Sequence, residues 1–473
     1  ACRRRPADPA GLVDDRRRYR RMSGDAPTDL LSIGDRLVAR AAPGEQVEVF
    51  VARGDSTEVR VYGGEVEHFV SAHSEGVGVR VVSGGRTGTS YAGTLDPAAV
   101  DEVLEEARAN AAFGTPDEFA GLVEPDGVDT VPIELWDERL VATSTEDKIA
   151  LVTELERITL GLDSRIRVDE ADYSDGGGES AIVTTTGIRR HRRANSCHVS
   201  VSALADDGDE TQTGFGFSVG DAPADLDLAE AARDAVNRAT RLLGATKPRS
   251  RRTTVVLDPF VTAQVLGIIG STLNGESVVK GRSLFRDRLG EVIAAPGVTL
   301  VDDPTDARAF TATDVDGEGL AARRNVLIDD GRLERFVHSG YSARRAGTVS
   351  TGNAIRGGFA GLPGVGCLAL QLSPGARSQE ELIAGIDDGV LVQSVTGIHS
   401  GVNTVSGDFS TGASGVSITG GALGAPVREF TIATTLQRLL LDIVDIGADL
   451  KWLPMRAAGM SLVIGDVTVS GSS

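Results

Sequence analysis

A chain of 473 residues is longer than one hydrophobic core usually fills, so two or three domains are expected. Its formal charge of −20 opposes binding to nucleic acid or anionic membrane surfaces, and no apolar run reaches the roughly eighteen residues needed to span a bilayer. Cys2, Cys197 and Cys367 are too few and too scattered for a disulfide framework and suit a reducing, cytoplasmic setting, while 58 glycines and 4% aromatics point to a turn-rich, β-rich chain.

Residues 1–25 read as a disordered basic arm, with RRR at 3–5 and DDRRRYRR at 14–21. The arm lacks the apolar segment of a secretory signal, and Met22 followed by SGDAPTDLL resembles a natural start, which favours an upstream extension over a nucleic-acid-binding arm for the preceding residues. From Thr28, the apolar residues at 30, 31, 33, 37 and 38 mark a helical face that stops before Pro43. EVFVAR, TEVRVYGG, EVEHFVSA and EGVGVRVV then alternate apolar and polar, predicting four short strands of an antiparallel meander. Asp96 as N-cap and Pro97 at the first helical position open a helix to residue 113.

A Pro, Gly and Asp-rich linker covers about 114–132, a helix covers 146–161, and strands fill 165–219. An Ala-rich helix runs from Asp225 to Gly244, and KPRSRR (247–252) is the best boundary. The domains expected are therefore 26–245 and 250–473. Beyond it come the strand TTVVL (253–257), a helix from Pro259 to about 273, and a hairpin through Asp330 and Gly331. Ser378 and Glu381 form a capping box for a helix to 389, a last long helix is expected over 434–450, and MSLVIGDVTVSG forms a final strand.

Three patterns suggest chemistry and fail on context. GFSVG (216–220) matches the nucleophile elbow with Ser218, yet lies in an amphipathic strand well before the next helix. His191 and His198 flank Cys197 but have opposite parity on a strand unless Asn195 and Ser196 turn the chain; His68 and His73 share that problem. His399, Ser400 and Asp408 have no motif that would make them a triad. The densest polar segment is VTGIHSGVNTVSGDFSTGASG (395–415), glycine-rich and set between apolar runs, which reads as strand, loop, strand. There His399, Asn403, Ser406 and Asp408 either hydrogen-bond an extended peptide substrate or satisfy the loop's own groups.

That segment resembles the C-terminal signature of the TldD/PmbA family, the modulators of DNA gyrase, and in particular its PmbA (TldE) branch. VVLDP (255–259), KGRSLFRDRLGE (280–291), the DDP of 302–304, DGEG (316–319), STGNAIR (350–356) and the terminal VTVSG match in order, with SEGVGVRVVSGG (74–85) a looser match. The resemblance implies an α+β protein: an N-terminal α/β domain of antiparallel strands and helices, and a C-terminal domain with a strongly curved antiparallel sheet plus helices. It also implies dimers enclosing an inner chamber.

Active members of the TldD branch hold zinc with a helical His-Glu-x-x-x-His and a Cys near the C-terminus. Counting back from Gly275 and Gly281 sets those positions on Leu266, Gly267 and Ser271, and residues 449–460 contain no cysteine. The resemblance therefore implies no metal, no cofactor and no catalytic residue of this chain's own, leaving open whether it is an enzyme. The implied partner is a TldD-like zinc protease subunit in a heterodimer, or a second copy in a homodimer, acting on unfolded peptides or peptide precursors without nucleic acid or membrane. A non-proteolytic homodimeric peptide binder and a stand-alone enzyme using other chemistry are the alternatives.

Overall fold

The computed structural model describes residues 29–472; the basic arm, Cys2 and Thr28 lie outside the described residues. Helix α1 (Leu30–Val38), capped by the Asp29 side chain, leads into β1 (Gln46–Tyr62), β2 (Glu65–Ser83) and β3 (Arg86–Ala92). The meander is present, but the four short strands expected are two long ones. Gly54 does not turn the chain. It sits opposite Gly178, where an added Cβ would come within 2.7 Å of the Gly177 carbonyl oxygen, so it permits close backbone approach between strands.

Helices α2 (Pro97–Phe113), α3 (Glu138–Ala142) and α4 (Thr145–Leu162) precede β4 (Ile166–Thr184), β5 (Arg189–Asp207) and β6 (Glu210–Gly220), and α5 (Leu228–Arg241) follows. The strands form one antiparallel sheet ordered β3-β2-β1-β4-β5-β6. Two-residue periodicity divides its faces. Val47, Val49 and Val51 pack with α1 and α2, and Val199 and Val201 with α4 and α5. Residues of the other parity, among them Glu48, Arg80 and Arg192, turn toward the C-terminal half.

The C-terminal half opens with β7 (Arg251–Leu257) and α6 (Pro259–Thr272). Short strands follow: β8 (Leu300–Asp302), β9 (Asn325–Asp329), β10 (Arg332–Leu333), β11 (Ala354–Ile355), β12 (Gly364–Val365) and β13 (Leu370–Leu372). Then come β14 (Asp388–Thr396), β15 (Asp408–Thr419), β16 (Ala422–Thr435), β17 (Ile443–Ile446) and β18 (Leu462–Ser470). The main sheet runs β16-β15-β14-β7-β18-β17, and a further β16–β18 pairing closes it on itself. β7 and β14 run parallel because α6 and the intervening sheets carry the chain across.

The turn at Asp330 (φ 45°) and Gly331 (φ 80°) is the primed hairpin its sequence requires, and the Ser378–Glu381 capping box closes reciprocally. The helix it starts is shorter than expected, Gln379–Ala384, since residues from Asp388 pair in β14. The long helix expected over 434–450 is reduced to Leu436–Leu441: Thr434 and Thr435 belong to β16, and Ile443–Ile446 pairs with β18. Apolar residues suited to either period follow the strand partner available. The 114–132 segment lacks regular structure but is anchored, with the Arg344 guanidinium donating to the Phe119 and Gly121 carbonyls at 2.8 and 2.7 Å.

Three of the motifs quoted above meet in one buried polar junction between the halves. Asp302 accepts from the Leu368 and Ala369 amides at 2.8 and 2.7 Å and from Asn353 Nδ2 at 2.6 Å. Asp316 accepts from the amides of Glu318, Leu320 and Ala354 at 2.9, 3.0 and 3.0 Å. Glu318 accepts from the Gly340 amide, and Glu48 of β1 bridges Arg80 and Arg356. Burial pushes Asp302 up to about 6; burial, then the charge of Glu318, pushes Asp316 up to about 7.

Candidate functional site

Helix α6 carries the positions where the metal motif of the resembling family falls. Its N-cap Asp258 accepts from the Phe260 amide at 3.1 Å, and Pro259 occupies the first turn, where a missing N–H costs nothing. Leu266 is 1% exposed and packs in the main C-terminal core with Val265 and Ile269, whereas Gly267 and Ser271 lie on the open face. The Ser271 hydroxyl donates back to the Ile268 carbonyl at 2.7 Å. These three positions offer no imidazole, carboxylate or thiol. Among the described residues no group of three or more His, Cys, Asp or Glu is placed to hold a metal ion. The residues present do not fit the zinc that the family motif implies.

The open stripe of α6 continues from Ser271 through Gly267 and Gln264 to Phe260, one turn apart at each step. At Phe260 it enters a cavity of about 720 Å³ bounded by β6, α5, Gln393 of β14 and residues 449–453. One wall is aromatic: Phe217 and Phe260 stack with centroids 5.6 Å apart, and Phe215 lies 4.4 Å from Phe260. Gly214 and Gly216 leave room for α5 on the opposite face of β6; an added Cβ at Gly216 would meet the Ala231 carbonyl at 1.9 Å. The alternation GFGF thus turns both phenylalanines into the cavity side of the strand.

Of the three cations lining this cavity, Arg238 and Lys451 are paired and Arg241 lies in the field of Glu380. Arg238 donates to Asp258 at 2.6 Å and to the Gln393 backbone carbonyl at 3.1 Å, while burial pushes the Asp258 carboxyl up against the pull of that arginine. Lys451 reaches Glu230 at 2.8 Å and Asp234 at 3.0 Å. Two neutral polar atoms are not paired: the side-chain Oε1 of Gln393, 4% exposed, and Nε1 of Trp452, 8% exposed, have no hydrogen-bond partner among the described residues. A second cavity, of about 540 Å³, lies between β4, β5 and residues 307–317, lined by Arg192, Arg308 and Arg356 among others.

The loop that the sequence singled out lines neither cavity. His399, Asn403, Ser406 and Asp408 are all exposed at one end of the closed sheet, between β14 and β15. Asn403 Oδ1 accepts from the Val405 and Ser406 amides at 2.9 and 3.1 Å, and the Ser406 hydroxyl donates to Asp408 at 2.6 Å, so these three side chains shape the loop. His399 takes no part in those bonds.

β5 is continuous through Asn195, leaving His191 and His198 on opposite faces. His191 contacts Glu179 at 2.8 Å and His198 packs edge-on against Phe310. Instead of turning, Asn195 ties residues 135–137 to β5 through the Asp137 backbone. Ser218 is a strand residue whose hydroxyl accepts from the Asp227 amide at 2.9 Å. Buried Cys197 is a free thiol pushed up to about 12, first by burial, and Cys367 is also free. The cavity residues Phe215, Phe217, Phe260, Gln393 and Trp452 were not singled out from sequence. The signal present was two phenylalanines two residues apart in a chain with 4% aromatics.

Comparison with known proteins places this geometry. Family models match three consecutive parts of the chain: PmbA/TldA metallopeptidase domain 1 over residues 47–111, the central domain over 138–243 and the C-terminal domain over 250–471. The chain is 26% identical over 440 residues to the metalloprotease PmbA of Escherichia coli O157:H7, covering 92% of this chain and 94% of that protein. It is 26% identical over 426 residues to a metalloprotease TldD homologue of Haemophilus influenzae, covering 84% and 87%. Among solved structures, a Thermotoga maritima protein described as a modulator of a DNA gyrase superposes with TM-score 0.86 at 25% identity, covering 93% of this chain and 99% of that one. TldE of Thermococcus kodakarensis shares the fold at TM-score 0.85 and 22% identity, with the same coverage.

Proposed function

Because the chain belongs to the PmbA/TldD metallopeptidase family, we propose that it is a PmbA/TldE-like, metal-free subunit that holds unfolded peptides or peptide precursors while a TldD-like zinc protease subunit cleaves them. The observation that supports this reading is α6. At the family's metal positions stand a core leucine, a glycine and a serine, and no cysteine occurs in residues 449–460. The relatives named as metalloproteases bring the substrate class, the open stripe of α6 offers a surface for an extended chain, and free Cys197 and Cys367 suit a cytoplasmic setting.

The test is co-expression with a TldD-like homologue that carries His-Glu-x-x-x-His. The expected result is a stable mixed dimer whose degradation of unfolded casein peptides is abolished by chelator, with no stoichiometric zinc and no cleavage from this chain alone. One tightly bound zinc per chain, or chelator-sensitive cleavage by the chain alone, overturns the reading. A homodimer that binds peptide and refuses the zinc subunit would replace it with a non-proteolytic peptide binder.

A further inference from the structure

We propose that the cavity beside Phe260 is a side-chain pocket for an aromatic residue of an extended peptide, with Gln393 and Trp452 taking that residue's backbone N–H and C=O. The proposal rests on the peptide reading above and names which peptides are preferred. Three features select the ligand. The first is the wall of Phe215, Phe217 and Phe260, already in mutual ring contact, which offers faces and edges to a further ring. The second is the pair of unpartnered buried atoms, an acceptor on Gln393 and a donor on Trp452, each of which carries a desolvation cost until it is matched. A ligand group carrying one donor and one acceptor is an amide.

The third feature is charge. Arg238 and Lys451 are committed to Asp258, Glu230 and Asp234, Arg241 lies in the field of Glu380, and the lining holds five carboxylates against three cations, so an anionic ligand is disfavoured and a neutral group fits better. The volume of about 720 Å³ accommodates a large side chain with its flanking backbone. The cavity also opens onto a track. From Phe260 the same face of α6 runs past Gly267, where an added Cβ would meet nothing within 4 Å, so a peptide leaving the pocket meets a smooth helix surface.

The chain contains two tryptophans, Trp136 and Trp452, so Trp136→Phe makes Trp452 the sole emission reporter in the pocket. The full chain is titrated with two acetylated, amidated pentapeptides, Ala-Ala-Phe-Ala-Ala and all-alanine. The phenylalanine peptide is expected to give a saturable change in emission with at least about tenfold tighter binding than all-alanine, the size of one buried ring. Phe217→Ala should bring the two peptides to within about twofold of each other. Gln393→Leu should weaken both by about fivefold without lowering the melting temperature, a combination that a purely structural glutamine would not give. If Phe217→Ala fails to fold, Phe217→Trp, which fills the cavity, should exclude the phenylalanine peptide instead. Equal affinity of the wild-type chain for both peptides overturns the pocket and leaves the peptide reading standing. Binding of neither peptide overturns both, and unchanged selectivity in the Phe217 variants overturns the pocket assignment.

Discussion

The junction around Asp302 and Asp316 and the cavity beside Phe260 both lie between the N-terminal sheet and the C-terminal half, and both contain buried polar groups. They differ in whether those groups are matched. At the junction each carboxylate oxygen of Asp302 and Asp316 accepts a hydrogen bond, and Glu48 holds two arginines. At the cavity, Gln393 and Trp452 each keep a polar atom without a partner among the described residues. A closed network rigidifies the two halves against each other, whereas an open one leaves binding capacity unused. The motifs most useful for recognising the family, DDP, DGEG and STGNAIR, serve the first purpose.

The junction should be the harder region to perturb. Glu48→Gln removes the charge shared by the largely buried side chains of Arg80 and Arg356 and should cost about 3–5 kcal/mol in urea unfolding. A loss below about 1 kcal/mol would mean that Glu318, 3.6 Å from Arg80, or water takes over, and would blur the contrast between the regions.

Rebuilding the family's metal motif comes next in size. Leu266→His combined with Gly267→Glu and Ser271→His places an imidazole in a packed core and should destabilise by about 2–5 kcal/mol. It should yield no peptide hydrolysis, because Leu266 faces the core while Ser271 faces out and no cysteine follows. Chelator-sensitive turnover in the triple variant would refute this.

Asp316 then supplies a pH signature. Its folded pKa of about 7 is raised above the ordinary carboxylate value of 3.8, so its contribution to stability is full below that value and is lost as pH rises through about 7. Burial lowers His198 and His338, whose contribution is present above 6.5 and is lost as pH falls, so the carboxylate is best read between pH 6.5 and 8. In that window the melting temperature should fall with rising pH. Asp316→Asn should flatten this slope while costing about 1–3 kcal/mol, because one amide face must meet a backbone N–H. An identical slope in both proteins would assign the drop to other groups.

The smallest effects belong to the open sites. Gln393→Leu should leave stability unchanged or raise it by up to about 1 kcal/mol, the sign opposite to every junction variant. On the exposed loop, His399→Ala should leave the melting temperature unchanged. Asn403→Ala should lower it slightly by releasing the Val405 and Ser406 amides, so peptide affinity measured on both variants separates binding from loop shaping.

Much of the fold was legible in local chemistry. Asp96 with Pro97, Ser378 with Glu381, and Asp330 with Gly331 each determine a cap or turn within four residues of chain, and the structure forms all three. The absence of ligand side chains at 266, 267 and 271 was equally readable, since residue identity needs no geometry. Tertiary structure alone decided the rest. Residues 443–446 suit a helix or a strand and became β17 because β18 lay alongside. Leu266 and Gly267, adjacent in sequence, were parted by the core on one side of α6 and open space on the other. Phe217, Phe260, Gln393 and Trp452 come from four segments as far as 235 positions apart, and no local pattern encodes their meeting. Hydrogen-bond satisfaction is a property of a completed neighbourhood, so the unmatched atoms that mark the cavity appear only once the sheet, α6 and residues 449–453 have closed around it.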